Sequence, residues 1–200
     1  MEDIKPTTLE RIHIAAKREF LEKGFLGASL RNIVKCAGVT TGAFYGYYDS
    51  KEKLFDALVS EQYEHVMDMY MSTQNSFKEL EAEKQQANMG KIGGDCLEQM
   101  IDYMYANEDE FRLILMCSKG TQYENMVHEM SEVEVQATHD FVEVMRENGI
   151  EVREIDPKLE HVLVSGMFTA FFELLIHKND IGEEHFRGTV PHEYPLDGFA

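Results

Sequence analysis

The first 54 residues alternate between short helical patterns and glycine stops, and this punctuation constrains the fold more than any other feature of the chain. Leu9, Ile12, Ala16 and Phe20 share one face of a helix expected from about Thr8 to Lys23. Thr7 and Glu10 stand before it at capping-box spacing, and Gly24 is expected to end it. Ser29 is placed to cap a short second helix with Leu30, Ile33, Val34 and Ala37 as its apolar stripe, after which Gly38 turns the chain. Thr40 is placed to cap a third helix, about Thr41 to Tyr47, with Ala43, Phe44 and Tyr47 or Tyr48 inward. Asp49 or Ser50 then opens a fourth, from Lys51 to about Met71. Three short helices with a glycine turn between the second and third form a helix-turn-helix pattern, whose last member enters the DNA major groove.

The charge distribution supports that division. The whole chain carries −18, which by itself disfavours nucleic acid. Residues 1–54, however, hold nine Lys/Arg and seven Asp/Glu, about +2, which leaves about −20 for the remainder. A locally basic face can hold phosphates while an acidic body limits non-specific adhesion. A helix in a groove also needs small and polar residues outward, so that backbone can approach bases closely. Thr40, Thr41, Gly42, Tyr45 and Gly46 meet that need, while Phe44 and Tyr48 anchor the inner side.

The stretch Ala28 to Leu54, ASLRNIVKCAGVTTGAFYGYYDSKEKL, resembles the DNA-binding signature of the TetR family. The match lies in Ile33-Val34-x-x-Ala37-Gly38-Val39, in Gly42-x-Phe44-Tyr45, and in Ser50-Lys51-Glu52-x-Leu54. With Leu9 to Phe25 it covers about 50 residues. The resemblance implies phosphate contacts from Ser29, Tyr45 and Lys51, with Arg31 and Lys35 near enough to assist. It places Thr40, Thr41, Gly42 and Gly46 against base edges or adjacent backbone, with Tyr47 at the rim. Many relatives carry His where this chain has Tyr47, and some carry Lys at Thr41. This helix has no Arg or Lys, so bidentate reading of guanine is not open to it. Threonine methyl groups, tyrosine and DNA shape are then left to discriminate.

Beyond residue 54 the chain reads as helical throughout. Residues 72–91 are polar and weakly periodic, read as a frayed end plus a loop. Helices follow at about Lys91–Ala106, from Asn107 to Cys117, and over Gln122–Asn148. Asp156-Pro157 starts a helix to about His177 that is apolar on most sides. The last twenty residues, rich in Gly, Pro and His, show no period, although relatives usually have a further amphipathic helix there. The expected architecture is therefore all-α: a DNA-binding domain over 1–48 and a ligand-sensing and dimerisation domain over 49–200. Met100, Tyr103, Met104, Phe111, Met116, Phe141, Met167, Phe168 and Phe171 can line a ligand cavity or simply pack the core.

The resemblance implies a homodimer on a palindromic operator, paired through its last helices, with recognition helices about 34–36 Å apart. It also implies a small-molecule effector that releases the DNA. A helical ligand carrier, a protein-interaction adaptor or an activator on the same scaffold is the alternative. No catalytic constellation, cofactor loop or metal spacing stands out, so neither an enzyme, a cofactor nor a metal is expected; His185 and His192 read as solvated. Cys36 reads as a small packing residue and the three cysteines as free thiols of a reducing cytoplasm. The polar N-terminus does not resemble a signal peptide, and no membrane association is expected.

Overall fold

The structure, a computed structural model, describes residues 5–152 and 155–176. The tail from Ile181, with His185 and His192, lies outside the described residues. Among those described there is no strand. Eight α-helices follow in order: α1 (Thr8–Gly27), α2 (Leu30–Ala37), α3 (Thr41–Tyr45), α4 (Lys51–Lys78), α5 (Ala82–Ala106), α6 (Glu108–Arg112), α7 (Met126–Glu147) and α8 (Pro157–Ile176). A π-helical turn, Leu113–Cys117, continues α6. None of these helices is long and apolar enough to cross a membrane.

The chain packs as two compact units. The first combines the described residues up to Glu64 with Asn107–Glu124; the second takes His65–Ala106 and the described residues from Asn125 onward. Packing therefore groups α6 and the π turn with the N-terminal helices.

In the first unit, Ile12, Ala16 and Phe20 of α1, Ile33 of α2, Phe44 of α3, and Leu54 and Phe55 of α4 are buried. Phe20 and Phe25 each meet Phe55 edge-on, at 5.1 and 5.4 Å between centroids. Thr7 caps α1 reciprocally with Glu10. Gly24 interrupts α1 as expected: at φ +66° and ψ 167° it leaves the helical geometry and kinks the chain, and a further short turn runs on to Gly27. Gly38 closes α2 in the left-handed region, where a side chain would be strained. The third helix is shorter than expected, because the amides of Tyr47 and Tyr48 both donate to the Phe44 carbonyl and close a turn.

The second unit departs further from the sequence reading. Residues 72–91 are helical except at the α4–α5 turn, so the expected loop reduces to a few residues around Leu80 and Glu81. The cause is a buried glutamine. Gln85 donates from Nε2 to the carbonyls of Lys78 (3.3 Å) and Leu80 (2.9 Å), satisfying backbone acceptors at the end of α4. A polar residue acting as core hides the helical period. α7 begins at Met126 rather than Gln122, since Tyr123 and Gln122 are engaged with Asp56 in the turn before it. Asp156 caps α8 through the amides of Lys158 and Leu159, at 2.9 and 3.1 Å.

Val66, Tyr70, Met100, Met104, Met130, Phe168 and Phe172 are buried in this unit. Tyr70 donates to Glu134 (2.5 Å), and Gln74 donates to the same carboxylate oxygen (2.8 Å). On α8, Leu159, Val162 and Leu163 are more than half exposed.

Candidate nucleic-acid interface

The interface is built from α2, the turn at Gly38 and α3. In α2, Ile33, Val34 and Ala37 are buried, so helical geometry turns Arg31, Asn32, Lys35 and Cys36 to solvent. The expectation that Cys36 packs inward is therefore corrected: it is exposed, on the flank of the stripe. Arg31 and Lys35 have no ion-pair partner among the described residues.

Phe44 fixes α3. Its ring is fully buried and lies 5.5 Å from Tyr45 and 6.0 Å from Tyr48. Tyr48 hydrogen-bonds His13 of α1, so it, and not Tyr47, is the second inward aromatic. Burial lowers the His13 pKa, with a smaller contribution from Lys17, and keeps that ring neutral near neutral pH. The opposite face is open. Thr40, Thr41, Gly42 and Gly46 are exposed, Tyr45 is 52% exposed and Tyr47 49%. A Cβ built at Gly42 meets nothing within 4 Å, so the fold itself does not demand glycine there. At Gly46 the same atom would lie 3.3 Å from the Ala43 carbonyl, a tighter fit.

Two expected contact residues also serve the local structure. Ser29 Oγ accepts from the Asn32 amide (3.4 Å) and Thr40 Oγ1 from the Ala43 amide (3.1 Å), capping α2 and α3. Both hydroxyl protons remain available to an external acceptor. Lys51 is turned inward. Its ammonium donates to the carbonyls of Phe25 (2.7 Å) and Ala28 (3.1 Å) and sits 4.5 Å from the Phe25 centroid, leaving a third proton. Ser50, rather than Asp49, caps α4 by accepting from the Lys53 amide (3.2 Å).

The sequence reading missed Glu19. This nearly buried carboxylate accepts from the Ser29 amide (3.0 Å), the Lys23 ammonium (3.0 Å) and Asn32 Nδ2 (3.5 Å). Its pKa is lowered chiefly by the Ser29 amide bond. The only signal was a charged residue beside Phe20 within the apolar side of α1. Arg11, whose guanidinium reaches the Gly38 carbonyl (3.4 Å), gave no such signal.

The nine candidate ligand-cavity residues divide between the units. Phe111 and Met116 belong to the first, where Phe111 is buried and Met116 is 53% exposed. Met100, Tyr103, Met104, Phe141, Met167, Phe168 and Phe171 belong to the second, with Met100, Met104 and Phe168 buried.

Residues 12–58 match the sequence profile of bacterial regulatory proteins of the tetR family. Over 57 residues the chain is 40% identical to an uncharacterized HTH-type transcriptional regulator, YdgC, of Bacillus subtilis (strain 168). That alignment covers 28% of this chain and 29% of the relative, so the shared segment is less than a third of either. The fold is similar to a TetR-family transcriptional regulator of Syntrophomonas wolfei at TM-score 0.53, with 15% identity, covering 92% of this chain and 90% of the other. It is also similar to the fatty acid degradation regulator FadR of Bacillus halodurans at TM-score 0.52 and 18% identity, covering 94% of both chains. Both likenesses support an all-α fold with an N-terminal helix-turn-helix and a helical body. Residues 12–58 thus carry a helix-turn-helix segment similar to that of the tetR family, and the architecture behind it is similar to the all-α fold of these solved structures.

Proposed function

We propose that this protein is a sequence-specific transcriptional regulator, a repressor that leaves a palindromic operator when a small molecule binds its helical body. The observation that carries the reading is the outer face of α3. Phe44 roots the helix while Thr41, Gly42 and Tyr45 stay exposed, and Gly42 occupies a position where the fold has room for a side chain. A surface that keeps its backbone bare without structural need suits close approach to a duplex. Ser29, Tyr45, Arg31 and Lys35 supply phosphate contacts. Thr40, Thr41, Gly46 and Tyr47 face the groove and its rim. The third proton of Lys51 remains for a phosphate, and its other two hold the corner in place.

The protein acts as a homodimer through α8, whose exposed Leu159, Val162 and Leu163 provide an apolar surface for a second copy. Release is a coupling between sites. It runs along α4, one helix from Lys51 to Lys78, whose first turn holds the recognition corner through Lys51.

The test is Gly42→Ala. Alanine at an open helical position leaves stability unchanged or raises it, by up to about 1 kcal/mol. Operator affinity, read by fluorescence anisotropy, nevertheless falls at least about tenfold, the effect of losing 1.4 kcal/mol of contact. Full affinity in a stable Gly42→Ala variant would refute the placement of this face on DNA. Arg31→Ala should lower the dependence of log affinity on log salt by about one for its single phosphate.

A further inference from the structure

A second site lies in the helical body, where α7 and α8 bring together two histidines and a carboxylate. His128 and Glu132 stand four residues apart on α7, so they are neighbours on one face of the helix. His161 of α8 comes to the same place. Nδ1 of His161 is 3.4 Å from Glu132 Oε1, and Nδ1 of His128 is 4.0 Å from the same oxygen. One ligand atom from each of the three residues can be chosen so that all lie within 4.8 Å of one another. The two imidazoles meet edge-on at 6.2 Å between centroids.

These distances approach those of a metal site. Donors about 2.0–2.1 Å from a tetrahedral zinc-class ion lie about 3.3 Å apart. The His161–Glu132 separation of 3.4 Å already fits, and the His128 imidazole must move in from 4.0 Å, a closure of about 0.7 Å towards the tetrahedral spacing. That adjustment is cheap, because all three side chains retain substantial solvent exposure and rotamer freedom. The supporting backbone is held from the other side. Met126, Met130 and Ser131 bury the inner face of α7, and Glu160 and Phe168 bury that of α8. The separate contact of His139 with Glu160, at 2.7 Å, fastens the same two helices elsewhere. A formal charge of −18 further favours cations.

We propose that His128, Glu132 and His161 form a binding site for a divalent transition metal of the zinc class, which clamps α7 to α8. Two imidazoles with one carboxylate select zinc, nickel or cobalt over magnesium and calcium, whose preferred shells are all oxygen. Three protein ligands leave a fourth position to water.

The experiment titrates untagged, metal-free full-length protein with Co²⁺ and follows visible absorption, with Zn²⁺ as competitor and thermal unfolding as a second readout. One equivalent of Co²⁺ should bind with the intense absorption of a tetrahedral site and be displaced by Zn²⁺. Zn²⁺ should raise the unfolding midpoint, and Mg²⁺ should not. His128→Ala, Glu132→Gln and His161→Ala should each weaken binding by at least about tenfold, since even outer-shell losses cost 10–100-fold. Circular dichroism should show these exposed variants folded. Two controls should bind like the parent: His139→Ala, and a chain with His177, His185 and His192 all replaced by Ala. Absorption that persists in the His128→Ala/His161→Ala double variant, or that vanishes with the tail histidines, overturns the site. Equal stabilisation by Mg²⁺ overturns its chemical class.

Discussion

The helix-turn-helix and the body use their polar groups in opposite ways. Around the recognition corner, long-range polar contacts run mainly from side chain to backbone. Glu19 holds the Ser29 amide, Lys51 the carbonyls of Phe25 and Ala28, and Arg11 the carbonyl of Gly38. In the body they run mainly from side chain to side chain: Tyr70 and Gln74 to Glu134, Lys78 to Asp140, His139 to Glu160. The apolar cores differ in the same sense. Phenylalanines at 5.1–5.9 Å fill the first unit. The body holds ten of the twelve methionines, and five of them, Met100, Met104, Met126, Met130 and Met145, are buried in its core. Backbone pinned by side chains is backbone whose position matters, as it must where a helix meets a duplex. Flexible thioethers and side-chain pairs can repack around a new shape. The molecule thus joins a part that must hold still to a part that can yield.

The sharpest break of this contrast is Phe44→Ala. The ring is fully buried, and its removal should cost about 3–5 kcal/mol in urea unfolding. Operator binding should be lost for every sequence, because α3 has no other deep anchor. Met100→Leu, equally buried in the body, conserves volume and should cost less than about 1.5 kcal/mol. Should Met100→Leu prove as damaging as Phe44→Ala, the body is no more adaptable than the DNA-binding corner.

Next in size is Tyr70→Phe. Burial and the adjacent Glu134 push the Tyr70 phenol far above its ordinary pKa, so it stays a neutral donor. Losing the hydroxyl leaves Glu134 with Gln74 alone at that oxygen, at a cost of about 1–3 kcal/mol. The loss should appear in urea unfolding of the variant relative to the parent and leave operator affinity of the folded protein unchanged. A selective loss of operator binding would show that this network serves the DNA-binding corner as well.

The same contrast explains what was legible in the sequence. Caps and turns are local, so Thr7, Ser29, Gly38 and Thr40 announced the first three helices within a few residues. The small outward residues of α3 and the buried Phe44 could be read the same way. Inward polar roles could not. Lys51 read as a phosphate ligand, and its hold on the Phe25 and Ala28 carbonyls depends on a contact 26 residues away. Gln85 concealed the α4–α5 turn because it is core chemistry in a polar residue. The His128–Glu132 spacing is visible on one helix, but His161 joins it only when α8 packs against α7. Cys36 was misplaced for a simpler reason: with Ile33, Val34 and Ala37 inward, position 36 falls at the edge of the stripe, and the structure leaves it exposed.

The smallest expected effect concerns acid, and it tests the backbone-pinning argument directly. Glu19 has its pKa lowered from the ordinary 4.5, first by the Ser29 amide and then by Lys23 and Asn32, against the opposing effect of burial. A carboxylate depressed in the folded state stabilises fully above its unfolded value. That contribution is lost as pH falls through the folded value. Urea midpoints of the parent should therefore decline, as pH falls below the ordinary 4.5, more steeply than those of Glu19→Gln. The gap between the two should be widest near neutrality and close in acid. Glutamine can still accept from the Ser29 amide, so the variant should remain folded with α2 capped, and only the acid-sensitive part should disappear. Parallel midpoint curves would mean that the charge on Glu19 is solvated rather than spent on the backbone, and that the corner is held by packing alone.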